Sequence, residues 1–221
     1  MMDAQSTHDR ALQQVGTNHT DEDDAQAVYR TLHGESEAFS IIVRSYTPLF
    51  YSLISRMGIA GSQEDIEDNL QEIFLRMYRA LPSYDTKRPF FTWAYTVALN
   101  WIRSQRRSMK SRSLVRKVVY DEQNALLQGT DHSAQPEQTL LAQEADRMLA
   151  EAVRSLRRPY REVFVLRMMQ ELSVTDTARI MKIPEGTVKT YLHRAKEELQ
   201  AWFSSRQWSA HGNYSGIGFA S

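Results

Sequence analysis

Apolar residues recur along most of the chain at the three- and four-residue spacing of core-facing α-helices, and no segment of useful length alternates as a strand would. The helical pattern starts at Ala25 and resumes after Gly34. A longer apolar stripe then runs from Phe39 to Met57, with Pro48 inside it. Because proline lacks the amide hydrogen of the helical ladder, we expect a kink there. These two stretches predict the first two helices.

A loop separates the next two apolar stripes. Residues 62–81 predict a third helix, whose acid-rich first turn suits the positive end of a helix dipole. The segment Pro82–Pro89 has the proline, serine and aspartate of a turn. A fourth helix is predicted over Phe90–Met109, in the most basic part of the chain.

The periodic pattern is lost at both ends and in the middle, and these gaps predict the domain boundaries. Residues 1–24 predict a disordered acidic arm, residues 113–142 an acidic linker and residues 205–221 a disordered tail. The remaining ranges, 25–112 and 143–204, predict one helical domain each. The expected fold class is therefore all-α, with two small helical domains joined by a flexible linker.

The charge distribution favours a nucleic-acid partner. The chain has 221 residues, of which 42% are hydrophobic and 24% charged, as in ordinary globular proteins. Its net charge of zero conceals three blocks. Residues 1–24 carry six acids and one base, residues 86–120 nine bases and no acid, and residues 118–146 six acids and no base. A single block is typical of a solvated face, but three alternating blocks indicate a polyanionic partner.

Several chemistries are excluded by what the sequence lacks. There is no cysteine, no HExxH spacing and no GxGxxG or GxxxxGKS loop. No paired-carboxylate or nucleophile constellation stands out either, so we expect no enzymatic activity, no cofactor and no metal. The N-terminus lacks the features of a signal peptide, and no apolar run approaches the ~18 residues that span a bilayer. These absences predict a cytoplasmic protein.

The C-terminal domain carries a helix-turn-helix pattern. Ser173–Asp176 has the spacing of a helix cap, and the small residue Ala178 allows a second helix to cross closely. Lys182 and Ile183 predict a tight turn, and Pro184 suits the first position of the next helix. In a helix-turn-helix this second helix enters the DNA major groove.

One face of that second helix is polar and partly cationic, and we call it the recognition face. An apolar stripe (Val188, Leu192, Ala195, Leu199) predicts the opposite, buried side. Lysine and arginine can bond either guanine edges or phosphates, and the pattern leaves both open. It also leaves open an ordinary helical hairpin with a solvated face. The members of the recognition face are Lys189, Thr190, His193 and Arg194.

The fourth predicted helix interleaves aromatic and cationic residues. Part of it (Ala94, Val97, Ala98, Trp101) has core spacing. The rest combines aromatic rings that can stack on unpaired bases with cations that can follow phosphates. One loop tyrosine completes this set of aromatic and polar residues. Its members are Tyr84, Trp93, Asn100, Arg103, Arg106 and Arg107.

Four segments, in this order, resemble the regions of a bacterial RNA polymerase sigma factor of the sigma-70 family, extracytoplasmic-function (ECF) group. The segment from Ala38 to Tyr46 is similar to region 2.1, and Glu64–Phe74 to region 2.2. Phe91–Asn100 with the following arginines is similar to regions 2.3 and 2.4, and Leu156–Leu199 to region 4. The resemblance implies that the set from Tyr84 to Arg107, which we call the −10 surface, handles the −10 promoter element and assists melting, while the recognition face reads the −35 element.

The resemblance also implies partners. Core RNA polymerase would be bound through the clamp helices of its largest subunit and its flap region, promoter DNA would be the second partner, and an anti-sigma factor would hold the protein inactive. No small-molecule substrate is implied. Asp65, Asp68 and Glu72 lie along one side of the third helix, which we call the acidic face. The residues expected to contact the polymerase are Asp65, Asp68, Gln71, Glu72 and Phe74.

Two other functions are compatible with parts of the pattern. A stand-alone helix-turn-helix regulator with a helical sensor domain leaves the acidic helix and the aromatic–basic segment unexplained. An α-helical enzyme acting on nucleic acid needs a catalytic constellation that the sequence does not display. The predicted function is therefore a promoter-specificity subunit that binds core polymerase, recognises −35 and −10 elements and promotes melting.

Overall fold

The computed structural model describes residues 21–119 and 138–206, and within these ranges the side chains of residues 22–109 and 145–206. Every regular element in these ranges is helical, so the all-α prediction is confirmed. The N-terminal half contains helices α1 Asp21–Leu32, α2 Phe39–Met57, α3 Gln63–Ala80 and α4 Phe90–Val119. None of the helices within the described ranges is long and apolar enough to cross a membrane.

The C-terminal half contains four more helices within its described residues. Its third and fourth helices form the predicted helix-turn-helix. A π-helical turn, Val165–Met169, continues the second of them without a break. The four helices are α5 Gln138–Ser155, α6 Arg158–Phe164, α7 Val174–Met181 and α8 Glu185–Ser205.

The start of α1 corrects the predicted arm. Residues 21–24 were assigned to the disordered segment, but they form the first turn of α1. Asp24 is fully buried, and its carboxylate accepts a hydrogen bond of 2.5 Å from the hydroxyl of Tyr46. A run of acids suggests solvation, yet one of these acids is held in the core by a tyrosine that is remote in sequence. Residues 1–20 lie outside the described part.

The predicted linker is shorter than its composition suggested. Helix α4 continues to Val119, beyond the predicted boundary at residue 112, and α5 already begins at Gln138. The intervening residues 120–137, and residues 207–221 of the predicted tail, lie outside the described ranges.

Two local features position α3. Gly58 ends α2 in the left-handed conformation, with φ 66° and ψ 45°, which glycine adopts without a Cβ penalty. Ser62 then starts α3 with a capping box: its hydroxyl accepts from the Asp65 amide, and the Asp65 carboxylate accepts from the Ser62 amide.

Helix α2 runs through Pro48 as one continuous helix.

The core of the N-terminal half is rich in aromatic rings. Phe50 lies at its centre, with ring centroids 5.5 Å from Tyr46, 5.7 Å from Phe74 and 5.4 Å from Tyr95. Because buried aromatic pairs add to the free energy of burial, this cluster fixes how α2, α3 and α4 pack.

The two halves pack against each other and share one continuous apolar core. Helix α4 contacts α7, and α2 contacts α5 and the π-helical turn. The chain is therefore two helical domains in direct contact, a closeness that the sequence pattern did not predict.

Candidate nucleic-acid and polymerase interfaces

The helix-turn-helix has the local chemistry that the sequence predicted. The Ser173 hydroxyl caps α7 by accepting from the Asp176 amide at 2.9 Å. Lys182 ends the helix in the left-handed conformation, with φ 58° and ψ 47°. Pro184 is the N-cap of α8 rather than its first helical residue, one position earlier than predicted. These caps bring α7 and α8 into contact across a short turn.

The structure places all four recognition-face residues on one solvent-facing side of α8, near its start. Their partners are local: the Thr190 hydroxyl donates to the Gly186 carbonyl, and Arg194 donates to Glu197 at 2.9 Å. His193 lies 3.4 Å from the same carboxylate. On the opposite side Val188, Ala195 and Leu199 are buried, as predicted, whereas the fourth residue of the predicted stripe, Leu192, is half-buried. The helix thus displays its polar side chains while its apolar stripe anchors it.

The aromatic residues of the −10 surface form a half-buried cluster at the start of α4. The rings of Tyr84 and Trp93 are 5.2 Å apart, and both pack on Phe90, at 5.4 Å and 5.3 Å. The Tyr84 hydroxyl donates to the Arg88 carbonyl, which closes the preceding loop. Trp93 therefore packs against Tyr84 and Phe90 with one part of its side chain and leaves another part exposed, where a ligand can reach it.

The polar members of the −10 surface differ in exposure. Asn100 and Arg107 are exposed. Arg103 is half-buried because it forms an ion pair with Glu162 of α6. Its Nη2 lies 2.8 Å from Oε2 of Glu162, and its Nε lies 3.2 Å from the same oxygen. The side chain of Glu162 is only 3% exposed. Nothing in the sequence predicts this contact, because the two residues are far apart and neither belongs to a motif shared with the other.

Arg106 also faces the C-terminal half. One terminal nitrogen of its guanidinium is buried and has no hydrogen-bond partner among the described residues. Burial lowers the pKa of Arg106, Glu162 opposes that shift, and the positive charge of Arg158 adds to it. Two of the six predicted −10 residues therefore face protein in this structure.

On the acidic face of α3, Asp65 and Asp68 are exposed and Glu72 is half-buried. The Asp65 carboxylate is used by the capping box and accepts from the amides of Gly61 and Ser62, and these hydrogen bonds lower its pKa. Asp68 is exposed, as is the neighbouring Gln71. Glu72 pairs with Arg76 at 2.7 Å.

Phe74 does not belong to that exposed surface. It is 8% exposed and packs on Phe50, so it holds α3 to the core and is not available to contact a polymerase. Two apolar side chains that the sequence had not pointed to are exposed on the same helix: Leu75 at 41% and Tyr78 at 42%. The helical repeat alone could have placed Phe74 beside Ile73 and Met77, on the buried side.

No cation site accompanies these surfaces. Among the side chains described, no three His, Asp or Glu lie close enough together to hold a metal ion.

Solved structures share this fold. CnrH, solved in complex with the cytosolic domain of CnrY, superimposes with a TM-score of 0.59 at 20% identity, over 83% of this chain and 98% of that one. RpoE of Bartonella quintana, solved in complex with the anti-sigma factor NepR, gives a TM-score of 0.57 at 21% identity, over 75% and 96%. At such identities the likeness establishes the fold.

Sequence comparisons establish the family. The family models of sigma-70 region 2 and sigma-70 region 4 match residues 42–112 and 146–199. The ECF RNA polymerase sigma factor SigW of Bacillus subtilis is 32% identical over 76% of this chain and 89% of its own length. The ECF RNA polymerase sigma-E factor of Escherichia coli K12 is 30% identical over 80% and 92%. The chain belongs to the ECF group of RNA polymerase sigma factors.

Proposed function

We propose that this sigma subunit divides its work among three surfaces: α3 binds core RNA polymerase, α8 reads the −35 element, and the −10 surface captures unpaired bases. The observation that carries the proposal is the difference in charge between them. The recognition face and the −10 surface are cationic, whereas the acidic face of α3 is exposed and negative. A negative surface repels phosphates, so α3 is suited to a basic protein surface.

The exposed apolar residues of α3 support a protein partner. Leu75 and Tyr78 follow the acidic residues along the helix. Interfaces between proteins combine such apolar contacts with a polar rim, and tyrosine is enriched at their centres. We therefore add both residues to the polymerase-binding surface, alongside Asp68, Gln71 and Glu72, and assign Asp65 to the helix cap and Phe74 to the core.

The two DNA-facing surfaces suit different forms of DNA. A helix with exposed Lys189 and Arg194 fits the major groove of a duplex, where these side chains can reach guanine edges. The half-buried rings of Tyr84 and Trp93 offer flat faces for unstacked bases, and Asn100, two turns further along the same side of α4, can hydrogen-bond a base edge. This division supports duplex reading at −35 and single-strand capture at −10.

The same proposal sets the partners and the location. The protein works in the cytoplasm, on core polymerase and promoter DNA, and needs no catalysis, cofactor, metal or small-molecule substrate of its own. RpoE of Bartonella quintana was solved with an anti-sigma factor, and we extend that class of partner to this chain. A stand-alone helix-turn-helix regulator is not favoured, because the relatives match both domains.

A charge reversal on α3 tests the proposal. Asp68→Lys should reduce the affinity of the full-length protein for core polymerase about tenfold or more, because an opposed pair becomes a like-charged one. Glu151→Lys is the matched control, since it makes the same change in charge at an exposed acid of α5, in the C-terminal half. Glu72 is left unchanged: it pairs with Arg76, which lies 4.2 Å over the Trp101 ring and helps join α3 to α4.

Binding to core polymerase is measured by fluorescence anisotropy, and function by run-off transcription over promoter DNA. Both variants should keep the helical signal, because exposed charges contribute little to stability. Wild-type affinity in Asp68→Lys would contradict the assignment of α3. A wild-type protein that bound no core polymerase would contradict the proposed function itself.

A further inference from the structure

Glu162 joins the two halves of the molecule at the −10 surface. We propose that its carboxylate takes the place of a DNA phosphate, so that the C-terminal half of the free protein covers part of the −10 surface and must move away before the promoter binds. The inference rests on the proposed function, because that function assigns Arg103 and Arg106 to DNA.

The geometry of the Arg103–Glu162 pair is that of phosphate recognition. Arg103 presents two nitrogens to the carboxylate. Its Nη2 lies 2.8 Å from Oε2, and its Nε lies 3.2 Å from Oε2 and 3.3 Å from Oε1. An arginine fork binds carboxylate and phosphate through the same paired donors. Arg103 therefore cannot hold Glu162 and a DNA phosphate through that fork at the same time.

The interface holds more positive than negative charge. Glu162 also accepts from Arg158 at 3.0 Å, and Arg106 and Arg161 are further arginines within its electrostatic reach. Burial lowers the pKa of Arg161 to about 10, and the charge of Arg106 acts in the same direction. We call the group formed by Glu162 and the four arginines Arg103, Arg106, Arg158 and Arg161 the arginine cluster. Because its arginines come from both halves and repel one another, the single carboxylate of Glu162 is what offsets their repulsion.

A second, uncharged contact closes the same interface. The buried Tyr95 hydroxyl donates to the Gln170 side chain at 2.8 Å, and the Gln170 amide donates to the Ser52 hydroxyl at 3.0 Å. Arg161 adds a hydrogen bond of 3.3 Å to the Met57 carbonyl. Gln170 thus links α2 and α4 to the C-terminal half without taking part in the arginine cluster.

The arrangement predicts that weakening either contact exposes the −10 surface. A binding-competent form that is populated to about 10% binds its ligand about tenfold more weakly than a fully open form. Glu162→Gln removes the carboxylate charge, and Gln170→Ala removes the uncharged contact. Each variant should therefore raise the affinity of the free protein for a single-stranded −10 oligonucleotide, by up to about tenfold.

The matched control is Glu198→Gln. Glu198 pairs with Arg157 inside the C-terminal half, so this variant changes the net charge as Glu162→Gln does without touching the interface. Gln170→Ala has no change in net charge, so a gain in its DNA affinity cannot come from added positive charge. Circular dichroism and thermal unfolding establish that each variant is folded.

Opening is measured directly by energy transfer between two dyes. The chain contains no cysteine, so Ser40→Cys and Ser204→Cys, both at exposed positions, label the two halves specifically. We expect a longer distance and tighter oligonucleotide binding in Glu162→Gln and Gln170→Ala, and neither change in Glu198→Gln. Wild-type distance in both interface variants, or a longer distance without tighter binding, would overturn the proposal.

The same samples separate this proposal from the proposed function. Holoenzymes assembled from wild-type and variant protein should initiate transcription from the same start sites. A holoenzyme that is active but insensitive to the −10 sequence would contradict the assignment of the −10 surface. Promoter-specific transcription without any opening in the free variants would overturn only the role given to Glu162.

Discussion

The two candidate DNA-binding surfaces differ in what their arginines contact in the free protein. Arg194 on the recognition face is 58% exposed, and its partner Glu197 lies on its own helix. Arg103 on the −10 surface is 19% exposed, and its partner Glu162 belongs to the other half of the molecule. A local, exposed pair exchanges its partner for DNA without any movement of helices, whereas the buried pair requires the two halves to separate. On the proposed function, duplex reading needs no separation of the two halves, whereas single-strand capture requires it.

Replacing Trp93 tests the −10 surface, and this change should have the largest effect on promoter opening. Trp93→Ala should impair promoter opening by about 1–3 kcal/mol per stacked base that is lost. A pre-melted template should restore part of the activity, because the strands are already separated. Open-complex formation on both templates is the measurement.

Packing must be separated from stacking in that experiment. Trp93 also contacts Tyr84 and Phe90, so Trp93→Leu serves as a variant that keeps apolar bulk without the flat ring. If Trp93→Leu opened promoters as well as wild type does, stacking would not be the function of this residue.

Replacing Arg194 tests the recognition face. Arg194→Ala should weaken −35 discrimination by about 1–3 kcal/mol if the side chain bonds a base edge. A phosphate contact would instead lower affinity for all sequences alike and reduce the salt slope by about one unit. The measurement is binding to −35 duplexes of matched and altered sequence over a range of salt, with the exposed Arg157→Ala as control. Unchanged binding would remove α8 from the DNA interface.

Changes in the capping box test whether the stability of α3 is independent of the two DNA-binding surfaces. Ser62→Ala should lower the free energy of unfolding by about 0.5–2 kcal/mol, the usual contribution of an N-cap side chain. Asp65→Asn adds a pH dependence. Because the folded pKa of Asp65 lies below its usual value of 3.8, its carboxylate stabilises the fold above that pH and loses the contribution as the pH falls through the folded pKa.

Thermal unfolding from pH 7 to pH 2 checks both variants. The difference in unfolding temperature between wild type and Asp65→Asn should shrink in acid. A difference that stayed constant across this range would contradict the role of the charged carboxylate in the cap.

Removing the charge of Glu197 should have the smallest effect on DNA binding. This change is the counterpart, on the recognition face, of Glu162→Gln at the −10 surface. Glu197→Gln removes an exposed partner of Arg194 and His193, a type of pair worth about 0.2–1 kcal/mol. Duplex affinity should rise only slightly, and the distance between the two halves should stay at its wild-type value. A change as large as that expected for Glu162→Gln would erase the contrast between the two surfaces.

Local patterns predicted the helices and the helix-turn-helix, because the spacing of apolar residues and the capping residues are properties of adjacent turns. The Ser173 cap and most of the buried stripe of α8 lie where the sequence indicated, and α3 begins beside Ser62, as predicted. Burial that depends on remote partners was not predictable in this way. Asp24 is buried by Tyr46, 22 residues away, and Gln170 meets Tyr95 across 75 residues.

The candidate sites follow the same division. The recognition face was predictable because it lies on one amphipathic helix. The members of the −10 surface stay a prediction, and its accessibility was not predictable, since the partner of Arg103 comes from a segment without a matching pattern. Phe74 was assigned by resemblance to the polymerase surface, and the aromatic core around Phe50 accounts for its burial.

The separation of Arg103 and Glu162 in sequence has a consequence during protein synthesis. The two residues are 59 positions apart, so at about 5–20 residues per second the ribosome adds Glu162 roughly 3–12 s after Arg103. Throughout that interval the N-terminal half is present on the nascent chain without the carboxylate that covers its arginine. On the proposed assignment of Arg103 to DNA, a nascent chain therefore lacks this cover until Glu162 has been added and its domain has left the ribosome.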